Sequence, residues 1–114
     1  MSFFDSEVVR AEMVEIGELQ EDIYKNVFSF PSMSNEQKLE HVNMLERLLD
    51  KQRILYTRLS LSDDPEAKMM KDRILESASM MGLPPNVDMS TVFDNMNKML
   101  GVMKKQIDNQ GSDL

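Results

Sequence analysis

Few residues in this sequence are equipped to make or break bonds. Its 114 residues include one histidine and no cysteine. Without cysteine there is no disulfide framework, no thiolate ligand for zinc or an iron–sulfur centre, and no thiol nucleophile. His41, between Glu40 and Val42, is the one imidazole available as a base, and a catalytic triad needs such a base oriented by a third group. It reads as a surface or boundary residue on the polar edge of a helix. A carboxylate di-metal centre in a helical bundle needs Glu-x-x-His on two helices, but the residue three before His41 is Lys38. Asp63-Asp64-Pro65-Glu66 gathers carboxylates without the glycine and alternate spacing of a calcium loop, and is better read as a helix start. Gly17, Gly82, Gly101 and Gly111 lie too far apart for a phosphate-cradling loop. The formal net charge of −7 argues against general affinity for nucleic acid or anionic lipid, both of which require excess Lys and Arg. Lys104-Lys105 is the single adjacent basic pair, and it suits the negative end of a helix dipole. The expectation is no enzyme, no metal, no cofactor, no direct nucleic-acid contact and no membrane span. The first residues, Met1-Ser-Phe-Phe-Asp5, lack the basic and apolar regions of a signal peptide, which favours a soluble, cytoplasmic or virion-internal setting.

The elements that would position any site are helical. Val9, Met13, Ile16, Ile23, Val27 and Phe30 recur at helical spacing, with Gln20 at the one missing seam position, and Asp5 or Ser6 is placed to cap. Pro31 then breaks the pattern. A second helix opens on the capping box Ser34-Asn35-Glu36-Gln37 and carries Val42, Leu45, Leu49, Gln52, Tyr56 and Leu59. Asp64 followed by Pro65 starts a third, with Ala67, Met70, Ile74, Ala78 and Met81 along it and Gly82 as its left-handed stop. Leu83-Pro84-Pro85-Asn86 reads as a rigid connector. A fourth helix, capped by Asp88 or Ser90, sets Met89, Phe93, Met96, Leu100, Met103 and Ile107 on one stripe. No segment alternates apolar and polar residues as a strand would. The predicted organisation is a single all-α domain over residues 1–109, with helices near 5–29, 35–60, 65–81 and 89–109, and a frayed tail over 110–114.

Charge predicts how the first two helices lie. Residues 5–22 carry seven acids against Arg10 alone, whereas residues 43–60 have a net charge of +2. An antiparallel hairpin sets the acidic start of one beside the basic end of the other, and the short Pro-containing connection favours that arrangement. Gln20 and Gln52 then fall toward the open end as a polar pair that fixes register, or as a polar notch for a ligand. Helices of about 24 residues run roughly 36 Å. Two shorter C-terminal helices cover only part of such a hairpin, so the bundle is expected to leave a protruding tip or to be completed by oligomerisation.

Two surfaces stand out as partner-binding candidates. Glu15, Glu18, Glu21 and Asp22, with Glu7, point away from the first seam, as a solvated face or as a docking surface for a basic patch. Twelve methionines, eight of them between Met69 and Met103, give either a loosely specified core or an adaptable contact surface; Met89 and Met99 are candidates for the latter. Gly17 and Gly101, inside helical patterns, mark either close helix crossings or tolerated surface positions.

Met1-Ser-Phe-Phe-Asp5-Ser-Glu-Val-Val-Arg10, Met44-Leu-Glu-Arg-Leu-Leu-Asp-Lys-Gln-Arg-Ile54, Tyr56-Thr-Arg-Leu59-Ser-Leu-Ser-Asp63, Met81-Gly-Leu-Pro-Pro-Asn and Phe93-Asp-Asn-Met96 together resemble a small helical family of unknown function. The resemblance, which covers nearly the whole chain, is to a family found in cyanobacteria and their T4-like phages. It is strongest to phage-encoded members, and it implies a cyanobacterial phage as the source and the infected host's cytoplasm as the setting. The chain departs from typical host members around Asp63-Asp64-Pro65-Glu66 and in its methionine content. The resemblance brings no catalytic residue or ligand. Composition and resemblance together favour an acidic helical adaptor that binds a host or phage protein and forms a homo-oligomer. The alternatives are a virion structural or assembly component, or an accessory factor to transcription or nucleic-acid processing acting through acidic contacts.

Overall fold

Serine, proline and aspartate set the ends of the helices. In the computed structural model, which describes residues 3–80, 82–83 and 88–112, a 3₁₀ turn at Phe3–Asp5 precedes α1, Glu7–Asn26. The Ser6 hydroxyl accepts the Val9 N–H at the start of α1. α2 spans Asn35–Leu61. Its capping box is reciprocal: Gln37 N–H donates to Ser34 Oγ at 3.2 Å and Ser34 N–H to Gln37 Oε1 at 3.1 Å. α3 spans Pro65–Met80, with Glu66 N–H donating to Asp64 Oδ1 at 2.9 Å. Gly82 follows at φ 96°, the left-handed conformation that suits a residue without a Cβ. α4 spans Met89–Ser112, and Asp88 caps it by accepting the Ser90 N–H at 3.0 Å. The Pro84–Asn86 connector and Met81 lie outside the described residues.

Two boundaries differ from the sequence reading. α1 ends at Asn26 and the chain tightens into a 3₁₀ segment over Val27–Ser32. There Ser29 and Ser32 hydroxyls donate to the carbonyls of Asn26 and Ser29 at 3.0 and 2.9 Å, local bonding that competes with a continuing α-helix. α4 runs through Ser112 instead of fraying at residue 110. With 24 residues against 20 for α1, it is also not one of two short helices.

α2 is the axis of the fold, with α1, α3 and α4 each packed against it. On one flank Glu12 pairs with Arg58 at 3.2 Å, and Glu15 with Lys51. The acidic start of α1 therefore lies antiparallel beside the basic end of α2, as charge predicted. On the other flank Glu46 pairs with Lys104 at 2.9 Å and the Tyr56 and Phe93 rings sit 6.1 Å apart, so α4 is also antiparallel to α2. α3 folds back on the C-terminal end of α2 and against the N-terminal 3₁₀ turn, where Phe3 N–H donates to Asp64 Oδ2. The result is elongated, 55 × 32 × 20 Å with a radius of gyration of 16.5 Å, against about 13 Å for a compact domain of this length.

Several expected placements change once α4 is in position. Leu49, assigned to the α1–α2 seam, also borders α4 near Phe93 and Asn97. Gln20 is exposed on α1, while Gln52 is half-buried on the α4 side of α2, so the two glutamines form no pair. The α4 stripe divides: Phe93 and Ile107 are buried, whereas Met96 is exposed. A Cβ built on Gly17 or Gly101 meets no atom within 4 Å, so neither glycine marks a close crossing within the chain.

Candidate functional site

Three places in the fold gather candidate residues. The first is the outer face of α1. Glu15 is committed to the hairpin through Lys51, whose ammonium, by hydrogen bond and charge, holds the Glu15 carboxyl below its ordinary 4.5. A carboxylate whose pKa is lowered on folding contributes stability above its unfolded pKa and loses it as pH falls through the folded one. In Lys51→Met, the Glu15 resonance followed by NMR is therefore expected to titrate at the ordinary carboxylate value, and the variant's stability is expected to fall less between neutral pH and pH about 4. Glu21 forms an exposed pair with Lys25 at 3.6 Å. Glu18 and Asp22 carboxylates are exposed and form no ion pair among the described residues. The acidic face is thus narrower than the sequence suggests: Glu12 and Glu15 hold α2, leaving Glu18, Glu21 and Asp22 facing outward.

Beside those acids stand two aromatic side chains that the seam reading passed over. Tyr24 is 75% and Phe28 94% exposed. They lie four residues apart at the junction of α1 with the 3₁₀ segment, and both are off the seam that carries Ile16, Ile23 and Val27. That off-seam position was the available signal, since a phenylalanine outside the core stripe has no intramolecular reason to be there.

The second place is the closed end of the hairpin. Phe30 folds back over the start of α2, its ring 5.3 Å from that of His41 and under Lys38 Nζ at 5.7 Å. His41 is consequently buried, at 6% exposure, and not on the surface as its polar neighbours suggested. It lines a cavity of about 370 Å³ with Asn26, Ser29, Gln37 and Glu40. Among the described residues no three His, Asp or Glu side chains converge as a metal site.

The third place is a groove between α2 and α4, with Leu45, Leu48 and Gln52 on one wall and Met96, Met99 and Met103 on the other. Met99 is 67% exposed. Met89, the other methionine candidate, is half-buried in a separate recess with Tyr56, Leu75 and Phe93. The structure therefore keeps the acidic candidates together on α1 but separates Met89 from Met99. No helix among the described residues is long and apolar enough to cross a membrane.

Comparison with protein families matches residues 1–107 to a family described as a domain of unknown function, DUF1825. Comparison with curated proteins and with solved structures finds no match.

Proposed function

We propose that this chain, which belongs to the DUF1825 family, works without catalysis, as an acidic helical adaptor that docks on another protein. The observation that carries this reading is the pair of solvated aromatic rings, Tyr24 and Phe28, set beside Glu18, Glu21 and Asp22. Rigid aromatic side chains are the usual anchors of protein interfaces, where burial of each ring in a partner's pocket dominates the binding energy. The surrounding carboxylates speed encounter with a basic surface and select for it. The partner is accordingly a protein presenting an apolar pocket rimmed by Lys or Arg. The resemblance to phage-encoded proteins supports placing that partner in an infected cyanobacterial cell, as a host or phage protein in the cytoplasm.

Affinity capture from infected cells with three versions of the chain tests this. The wild type is expected to retain a defined set of proteins. Tyr24→Ala with Phe28→Ala is expected to lose that set at any salt, because the anchors are gone. Glu18→Lys with Asp22→Lys is expected to lose it through charge repulsion while keeping its fold. Identical captured sets from all three versions would overturn the reading.

A further inference from the structure

The cavity at the closed end of the hairpin holds a buried imidazole with nothing to bond. His41 is 6% exposed, lines that cavity and packs against the Phe30 ring at 5.3 Å. Among the described residues no hydrogen bond or ion pair engages its ring nitrogens. A buried polar group in that state costs stability and calls for a partner from outside the chain. The other polar groups around it are spent internally. Asn26 Nδ2 donates to the Asp22 carbonyl at 2.9 Å, and the Ser29 and Ser32 hydroxyls donate to backbone carbonyls. Gln37 Oε1 accepts from the Ser34 N–H. The one formal charge on the lining is the Glu40 carboxylate, which disfavours an anion. What remains of the lining is two thioethers, Met33 and Met44, both half-buried.

Local structure sets these donors around one space. Gln37, His41 and Met44 stand four and three residues apart, on one face of α2. Met33 lines the cavity from the turn before the Ser34 cap, where its N–H donates to the Phe30 carbonyl at 3.1 Å. Phe30 therefore fixes both walls: its carbonyl holds Met33 and its ring covers His41. Each methionine arm is unbranched and turns about three bonds, so its sulfur can be drawn across a cavity of about 370 Å³.

We infer that this cavity is a site for a soft monovalent metal ion, Cu(I) or its analogue Ag(I), held by the His41 imidazole and the Met33 and Met44 sulfurs. Thioethers select Cu(I) over harder ions, and imidazole also suits copper. Calcium and magnesium take several oxygens, and zinc takes thiolate, imidazole and carboxylate; among the described residues no three His, Asp or Glu converge to supply them. The site escapes histidine, cysteine and carboxylate spacing because two of its three donors are thioethers. Tyr24 and Phe28 line no part of this cavity, so ion binding and capture of a protein partner succeed or fail separately.

Anaerobic titration of the full chain tests the site, with Cu(I) kept reduced by ascorbate and Ag(I) as a redox-inert counterpart. The wild type is expected to bind one equivalent of either ion. Its Met33 and Met44 methyl resonances are expected to shift, while those of Met80 and Met99, at 84% and 67% exposure, stay in place. Zn(II) is expected to move none of them. Met33→Leu with Met44→Leu keeps the apolar volume and removes both sulfurs. It is expected to lose more than about a hundredfold in affinity, beyond what groups that only orient a ligand contribute. Met80→Leu with Met99→Leu removes as many sulfurs from exposed positions and is expected to bind as the wild type does. His41→Gln is expected to weaken binding as much as the first pair; that pair is the decisive variant because it leaves the buried ring in place. A wild type that binds neither ion overturns the proposal, as does an affinity unchanged by Met33→Leu with Met44→Leu or lowered equally by Met80→Leu with Met99→Leu.

Discussion

Leu49→Asp is expected to abolish the folded state: the variant should lose its cooperative urea transition and most of its helical circular dichroism at neutral pH. Leu49 is 5% exposed and is held between α2 and α4, bordered by Phe93 on one side and Met96 on the other. Removing the isobutyl group costs about 3 kcal/mol or more in lost burial and cavity formation. The incoming carboxylate must then ionise without solvent or take up a proton, adding several kcal/mol. Arg53, which borders the same recess, is already engaged with Asp50 at 2.8 Å. Only eight apolar side chains are buried among the described residues, so this single change approaches the whole stability of an ordinary domain, about 5–15 kcal/mol. Leu61→Asp, in the same helix at a position 80% exposed, is the matched control and is expected to shift stability by less than about 0.5 kcal/mol. Equal urea midpoints for the two variants would contradict the α2–α4 packing.

The contrast between Leu49 and Leu61 shows what a one-dimensional pattern conveys. Features decided within a few residues were legible: the Ser34–Gln37 capping box, Pro65 as the first residue of α3 and Gly82 as its stop all follow from local hydrogen bonding and backbone preference. The antiparallel hairpin was legible too, because charge on α1 and α2 is distributed along the helices and survives small errors in register. Features decided by a third element were not. Periodicity shows that Leu49 is on an apolar face; that α4 also borders this face depends on how α4 returns. Gln20 and Gln52 fill equivalent gaps in two seams, yet the groove separates them because α2 buries one arc against α1 and another against α4. His41 looks polar by its neighbours Glu40 and Lys38, and becomes buried because Phe30, eleven residues earlier, folds over it.

The same limit governs the candidate site. An acidic helix face is visible in sequence, but which acids are free is not, since Glu12 and Glu15 are drawn into pairs by the arginine and lysine that α2 presents. A broad apolar arc on α4 reads as one stripe until the position of α2 divides it into a buried line and an exposed one. Tyr24 and Phe28 were hidden for the opposite reason. Seam counting collects residues that share the core face and discards the rest, although the discarded aromatics are the ones left for a partner.

Asp64→Ala is expected to lower stability by about 1–2 kcal/mol, more than an exposed turn residue would suggest. Asp64 caps α3 by accepting the Glu66 N–H at 2.9 Å, and its other carboxylate oxygen accepts the Phe3 N–H. One side chain thus fastens the N-terminal 3₁₀ turn to the start of α3, sixty-one residues away in sequence, and its own N–H is held by Ser62 Oγ at 3.1 Å. Losing the carboxylate releases two backbone donors together and loosens the packing of the 3₁₀ turn on α3. Asp64→Asn separates the two functions. Its amide oxygen still caps the helix, but the NH₂ that replaces the second carboxylate oxygen cannot accept from Phe3. Hydrogen exchange is therefore expected to show early α3 amides protected in Asp64→Asn and exposed in Asp64→Ala, with the amides of residues 3–5 exposed in both. Retained protection over residues 3–5 in Asp64→Ala would mean that the N-terminal turn is held by other contacts, and that Asp64 acts as a helix cap alone.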